Sequence, residues 1–303
     1  MLFAMLSRFS FRLSQFTCFA LVGSAVATIA NAEDKQLLRT HWEPGKTYTQ
    51  QSTTETSAGA DRPGKMSMTQ TTELRVQKEK SSGNNRVEVK FVGITGTLTA
   101  QGKTMTFDSS KPGEANPALR EALGAALQKP FVLVYDEDDR FREARELGGI
   151  SSEPGSLTGI AALADSRAVA NLFRKSLEMG LPSIPVSVGD TWTADETMTF
   201  PQAGDVHVDM TGKFESWEEQ DGRKVARIVF DGKLANVNAA KAIPGSIGIG
   251  EGSSISGTLW FDVERKVVAS GDYTSELRLT AMDEVVPMKQ HVTSKMVSIS
   301  ASK

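Results

Sequence analysis

Cysteine is almost absent from this chain of 303 residues, and the single copy, Cys18, lies within an apolar N-terminal run. If that run is removed on export, the mature chain holds no thiol. Disulfide bonds, cysteine nucleophiles and cysteine-ligated zinc sites are then excluded. We therefore expect the mature chain to be held by its hydrophobic core alone, which a length of about 270 residues can supply.

A strong excess of one charge is also missing. The sequence has 34 Lys and Arg against 37 Asp and Glu, mixed along the chain. No basic stripe indicates a nucleic-acid partner, so none is expected. After the N-terminal run, no apolar stretch approaches the ~20 residues of a membrane-spanning helix, so we expect no transmembrane segment once that run is removed.

Catalytic motifs are missing as well. The chain has three histidines, and no Gly-x-Ser-x-Gly elbow occurs. Serines and acids are frequent, but no histidine is placed in the sequence to activate them. We therefore expect no enzyme, no catalytic residue and no cofactor. Carboxylate pairs of glycosidases are defined by three-dimensional spacing, so an enzyme of that class stays a third hypothesis.

One metal-like pattern is Asp205-x-His207-x-Asp209, which would place three possible metal ligands on one face of a strand. Metal sites usually draw their ligands from several segments. The pattern therefore favours a solvated strand face, and no metal is expected.

Two further segments resemble ligand loops. Asp136–Asp139 is acidic like a calcium loop, but the sixth position is Phe141 and the twelfth is Leu147, where an EF-hand has Gly and Glu. A hairpin turn is the better interpretation. Gly245–Gly252 is the most glycine-rich stretch, but it has Glu251 where a phosphate loop has Lys, and we expect a mobile loop that leads into a strand at Ile255.

What is present begins with an N-terminal export signal. Arg8 and Arg12 precede the apolar run Phe16–Ile29, and the small residues Ala30 and Ala32 follow it. This arrangement predicts a signal peptide that is cleaved after Ala32, and hence a periplasmic or extracellular protein. The alternative, an uncleaved anchor, is disfavoured because 14 apolar residues are too few to cross a bilayer as a helix.

Two similar β-rich halves follow. Gly45–Tyr48 begins one run of alternating strands, and Gly189–Trp192 begins another. With a shift of 139 positions, Gly83, Phe91 and Gly93 fall on similar residues of the second run, namely Gly222, Phe230 and Gly232. This correspondence predicts an internal duplication. We expect a signal peptide (1–32), a first β-meander (33–148), a helical link (149–185) and a second β-meander (186–303), the two meanders forming one compact domain.

The strands alternate apolar and polar residues with a period of two, which is typical of half-buried strands. Residues 65–78 and their return strand show this, as do the strands on either side of Asp221-Gly222, a strong hairpin signal. Helical spacing occurs at Asn116–Gln128 and over residues 157–179. We expect a mainly β fold with two helices (α+β), a large antiparallel curled sheet or half-barrel whose concave face the helices cover. One barrel and two separate sheets both stay open at this point.

Three segments carry a family resemblance: Trp42–Tyr48, Phe107–Ser110 and Leu181–Trp192, the last ending in Val-x-Val-Gly-Asp-Thr-Trp. They resemble a family of uncharacterised bacterial secreted proteins, a domain of unknown function. The expected architecture is also similar to the half-barrels of periplasmic lipoprotein carriers, which is a likeness of fold alone. The resemblance implies an exported β-rich protein and names no active residue.

These observations favour a non-enzymatic exported protein that binds a lipid or another apolar ligand on a concave β face. The alternative is a structural or assembly module of the cell envelope that acts through contacts with another protein. Methionine suits surfaces that accept varied apolar ligands, although it is also common core filler. The residues expected on the inner apolar face are Met66, Met68, Val89, Phe91, Val208, Met210, Ile228 and Phe230.

Overall fold

A computed structural model describes residues 35–59, 64–100, 102–111, 113, 130–146, 166–200, 204–236, 248–281 and 284–302. The expected signal peptide, the expected helix at Asn116–Gln128 and residues 157–165 of the second expected helix lie outside the described residues. The strands are β1 (Lys46–Ala58), β2 (Gly64–Lys78), β3 (Asn85–Ala100), β4 (Lys103–Asp108), β5 (Phe131–Tyr135), β6 (Phe141–Glu146), β7 (Thr191–Phe200), β8 (Gly204–Gln220), β9 (Arg223–Asn236), β10 (Gly248–Ile249), β11 (Ser253–Asp262), β12 (Val267–Ala281) and β13 (Glu284–Ala301).

All thirteen strands belong to one antiparallel sheet. Its order is β6-β5-β3-β2-β1-β13-β12-β11-β9-β8-β7, with β4 paired to β3 and β10 to β12. The expected mainly β, antiparallel, curled architecture is confirmed. The expected pair of helices and the α+β class are not, because one helix, α1 (Ser166–Glu178), accompanies these strands among the described residues.

The two meanders meet at the pairing of β1 with β13. This ladder runs from Lys46↔Ala301 to Ala58↔Met288, so the last strand of the chain lies beside the first. One continuous sheet therefore replaces the alternative of two separate sheets. In both meanders, the strands follow one another across the sheet in the same direction. The internal duplication itself stays a prediction.

Helix α1 lies against both ends of the strand order. Its Phe173 ring packs on Phe131 of β5, with ring centroids 5.7 Å apart. The Arg174 guanidinium lies 4.5 Å from the ring centroid of Phe141 on β6. Lys175 forms an ion pair with Glu196 on β7. Since β6 and β7 are the two terminal strands of the order, the sheet curls until both edges contact one helix.

The apolar residues form two buried clusters, each drawn mainly from one meander. The first includes Leu74, Val87 and Phe131, which are at most 1% exposed. The second includes Phe214 and Ile228, which are fully buried. These are alternate residues of their strands, as the period of two predicts. The clusters are the hydrophobic core of the fold.

The Asp221-Gly222 hairpin forms as predicted. Both residues have positive φ, 51° and 75°, the combination that a two-residue type I′ turn requires. At the turn after β11, the Asp262 carboxylate accepts hydrogen bonds from the backbone N–H groups of Glu264 and Arg265. Local side-chain acceptors of this kind fix where a strand ends.

The glycine-rich segment differs from the mobile loop expected there, in its described part. Gly248 and Ile249 form the short strand β10, which pairs with Thr280 and Leu279. The Ile249 N–H donates to the side-chain oxygen of Asn236, which supports this pairing. Strand β11 accordingly begins at Ser253, two residues before the expected start.

Candidate functional site

The candidate site begins with the inward face of β1, which is polar. Tyr48 is buried on this face, and the residues that follow at intervals of two are Gln50, Ser52 and Thr54. Side chains of alternate residues point to the same side of a strand. On its inward face, β1 therefore carries amide and hydroxyl groups, whereas the strands of the two core clusters carry apolar side chains there.

The neighbouring strands extend this polar stripe. Ser52 lies opposite Gln70 on β2 and opposite Ser294 on β13. Directly opposed residues of antiparallel strands have Cβ atoms about 4.5–5.5 Å apart. Hydroxyl and amide groups of three adjacent strands thus form one surface, which we call the polar stripe: Gln50, Ser52, Thr54, Gln70 and Ser294.

A cavity of about 200 Å³ lies over the polar stripe. Its other walls are mainly apolar and come from Leu177 of α1, Leu259 of β11 and Val267 of β12. Every residue that lines it is uncharged at neutral pH. The cavity therefore offers a neutral surface with one polar side and one apolar side.

Tyr273 of β12 brings a phenol ring to the cavity. Burial raises the pKa of Tyr273 to about 12, because the ionised phenolate would lose its hydration there. The phenol is therefore neutral over the physiological range. Its wall of the cavity can donate or accept a hydrogen bond without adding charge.

We predict that no tyrosine of the folded protein ionises near pH 10. The chain has three, and burial raises the pKa of Tyr48, Tyr135 and Tyr273 alike above 10.0. The tyrosine pKa values are higher in the folded protein than in the unfolded chain. The contribution of the tyrosines to the free energy of unfolding should therefore be fully present below pH 10 and fall as the pH rises toward 12. Ultraviolet titration of tyrosinate checks this, with the urea-unfolded chain as control. A ring that titrates near pH 10 before unfolding would contradict it.

The segment that precedes β1 lies at one end of the cavity. Thr40 and Trp42 line it, and Trp42 is 2% exposed. His41 fixes the segment on both sides: its backbone N–H donates to Lys266 O over 2.8 Å, and its Nδ1 lies 2.6 Å from Asp139 Oδ2. Two hairpin turns from different meanders therefore both contact His41.

The expected inner-face residues divide into two groups. Met68 lines the cavity, and Met66 lies on the same face of β2, two residues away. The other six are packed in the two core clusters and are at most 9% exposed: Val89, Phe91, Val208, Met210, Ile228 and Phe230. The structure thus brings one of the eight to the cavity and places six in the core.

Sequence reasoning missed the polar stripe and the apolar wall opposite it. The signal for the stripe was Tyr48, since counting in steps of two from this buried aromatic residue reaches Gln50, Ser52 and Thr54. No local signal places Leu177 or Val267 near them.

The segments that resembled metal sites are structural where they are described. His207 Nδ1 lies 3.4 Å from Oδ1 of Asp195 on the neighbouring strand. The Asp136 carboxylate accepts the N–H groups of Asp138 and Arg140 within its own hairpin turn. In the described part of the chain, no group of three or more His, Cys, Asp or Glu is placed to hold a metal ion.

Within the described ranges, no helix has the length and apolarity that a membrane span requires.

Comparisons with known proteins give little further information. No protein-family model matches the sequence, and no curated protein matches it. Among solved structures, DynF from the dynemicin biosynthesis pathway of Micromonospora chersina is 7% identical with a TM-score of 0.20, over 85% of this chain and 82% of that one. OccK5 (OpdH) of Pseudomonas aeruginosa is 6% identical with a TM-score of 0.23, over 86% and 99%. OpdQ of the same organism is 9% identical with a TM-score of 0.20, over 84% and 98%. TM-scores of this size support no conclusion about fold or activity.

Proposed function

We propose that this protein is an exported, non-enzymatic binding protein that holds a small amphiphilic ligand, or one apolar segment of a larger lipid, inside its curled sheet. The observation that carries the proposal is the uncharged cavity of about 200 Å³ between the polar stripe and Leu177 of α1. Ligand sites of this kind combine apolar walls with a few polar groups that fix orientation.

The volume limits what the described cavity can hold. An engineered apolar cavity of about 150 Å³ binds benzene, whereas sites for drug-sized molecules begin near 300 Å³. A cavity of about 200 Å³ suits one or two rings or a short chain. A complete two-chain lipid does not fit, so a larger lipid would place one segment here.

The lining also indicates the charge of the bound group. Transfer of an ionised group into an uncharged, partly apolar cavity is costly without a partner of opposite charge. Neutral hydroxyl or carbonyl groups, in contrast, can bond to the amides of Gln50 and Gln70 and to the hydroxyls of Ser52 and Ser294. The bound part of the ligand is therefore uncharged.

A matched pair of fluorescent probes tests this. We expect 1-naphthol to bind at least about tenfold more tightly than naphthalene-1-sulfonate. Both probes have a naphthalene ring, but the sulfonate is negatively charged, and the cavity has no group that neutralises this charge. Fluorescence titration of the purified protein gives both dissociation constants. No binding of 1-naphthol, together with a specific protein partner captured by cross-linking in the cell envelope, would favour the assembly module instead.

We further predict that Ser52→Leu weakens 1-naphthol binding by at least about tenfold, because the larger side chain occupies the centre of the polar stripe and removes its hydroxyl. The matched control is Gln51→Leu, the next residue of β1, whose side chain lies on the opposite face. Circular dichroism and thermal unfolding of both variants report whether they fold. Equal affinity of the two variants would contradict the assignment of the site.

A further inference from the structure

The wall of the curled sheet has a break beside the cavity. The ladder between β12 and β13 begins at Ser270↔Lys295 and continues away from this point. On the other side of that pair, residues 267–268 of β12 pair with β11, and residues 296 and 298–301 of β13 pair with β1. The two strands are neighbours in the sheet but form no ladder over this stretch.

Two β-bulges lie next to the break. The register of β11 with β12 shifts at Ala269, which has no partner opposite it. The register of β1 with β13 shifts at Val297, which is likewise unpaired and 57% exposed. A bulge bends its strand and increases the local twist. β12 and β13 each have a bulge just past their last shared pair, so both strands bend at this point.

A second cavity lies at this break. It has a volume of about 270 Å³, and its lining includes Ala269, Ser270 and Lys295. Val267 and Met296 line this outer cavity and also the inner cavity over the polar stripe. The two cavities therefore meet at these two side chains.

The two shared side chains differ in freedom of movement. Val267 is 1% exposed and branched at Cβ, which restricts it to few rotamers. Met296 is partly exposed and unbranched, with three rotatable bonds beyond its Cα. Of the two side chains between the cavities, Met296 can therefore change rotamer more readily than Val267.

The outer cavity is lined by charged side chains, unlike the inner one. Asp262 in its floor pairs with Arg223, with 3.2 Å between Oδ2 and Nε, and Lys295 pairs with Asp221 over 3.3 Å. Charged pairs of this kind keep a cavity hydrated. The outer cavity is therefore the more hydrated of the two.

We propose that the break between β12 and β13 is the entrance of the inner cavity, and that Met296 is its gate. This inference rests on the proposed binding function and adds the route by which the ligand enters and leaves. An entrance differs from a binding surface in one measurable respect. Blocking or widening an entrance changes the association and dissociation rate constants by the same factor, so the affinity stays unchanged.

The test uses one engineered thiol in the outer cavity. In the Cys18→Ser background, Ala269→Cys supplies a single cysteine, which a benzyl methanethiosulfonate converts to a bulky mixed disulfide. Stopped-flow fluorescence with 1-naphthol then gives both rate constants, before labelling, after labelling and after reduction with dithiothreitol. The control is the same labelling at Lys289→Cys, an exposed position of β13 away from the break. The reduced protein serves as its own check on folding.

We expect the label at position 269 to slow association and dissociation equally, by at least about tenfold, with full recovery on reduction and no effect at position 289. Unchanged rates would overturn the entrance, because the ligand would then use another route. A weaker affinity without matched rate changes would overturn it too, since the outer cavity would then be part of the binding site. If the unlabelled protein binds no 1-naphthol, the proposed binding function is wrong, and the entrance, which depends on it, is wrong as well.

Discussion

Replacing Trp42 by alanine is expected to lower the free energy of unfolding by about 3–5 kcal/mol, the usual cost of removing a buried tryptophan. Trp42 is 2% exposed and packs edge-on against Tyr48, with ring centroids 5.2 Å apart. It also contacts Tyr135 at 6.0 Å. Chemical denaturation of the variant and the parent protein measures the difference.

The matched control is Leu37→Ala in the same segment. Leu37 is 47% exposed, so its removal should change stability by no more than about 0.5 kcal/mol. Hydrogen exchange of residues 36–44 supplies a second readout. It should quicken in Trp42→Ala, because this side chain anchors a segment that also holds Val186 through Gln36. Equal effects of the two substitutions would show that Trp42 is not the anchor.

The faces of most strands could be predicted from sequence because they depend on a local rule. Val87 and Val89 of β3 are both fully buried, as their alternation with Arg86 and Glu88 indicates. Alternation of this kind does not depend on which strand lies next to β3. The Asp221-Gly222 hairpin was predictable for the same reason, since the turn type follows from two adjacent residues.

The polar stripe could not be predicted by that rule. β1 carries polar residues on both faces beyond Tyr48, as in Gln50 and Gln51, so it shows no apolar alternation. Patterning identifies a buried face only where the buried residues are apolar. In β1, the aromatic residue Tyr48 indicates which face points inward, but the pattern does not show that the polar residues beyond it line a cavity.

The entrance is even harder to predict from the sequence than the polar stripe. It depends on the pairing of β1 with β13, which joins residues as distant as Lys46 and Ala301. It also depends on bulges at Ala269 and Val297, neither of which is a glycine or follows a turn signal. A pairing between strands so far apart in the chain is not contained in any local window of the sequence.

Gly96→Ala is the second substitution with a large expected effect, a loss of at least about 3 kcal/mol, at the upper end of the range for overpacking. A Cβ at this position of β3 would collide with the carbonyl oxygen of Ser67 and lie 2.6 Å from the Phe107 ring. The backbone oxygen cannot move without breaking the β2–β3 ladder. Thermal and chemical unfolding of the variant measure the loss.

Gly93→Ala, three residues away in the same strand, is the control. A Cβ there would meet Thr71 at 3.8 Å, an ordinary contact, so the substitution should be neutral or stabilise by up to about 1 kcal/mol. Similar losses at both positions would mean that strand propensity, and not the ring over Gly96, decides the effect.

The second meander has the same arrangement of a glycine beneath an aromatic ring. A Cβ on Gly212 of β8 would lie 2.5 Å from the Trp192 ring of β7. In both meanders, a strand glycine thus leaves the space that an aromatic ring of the neighbouring strand occupies.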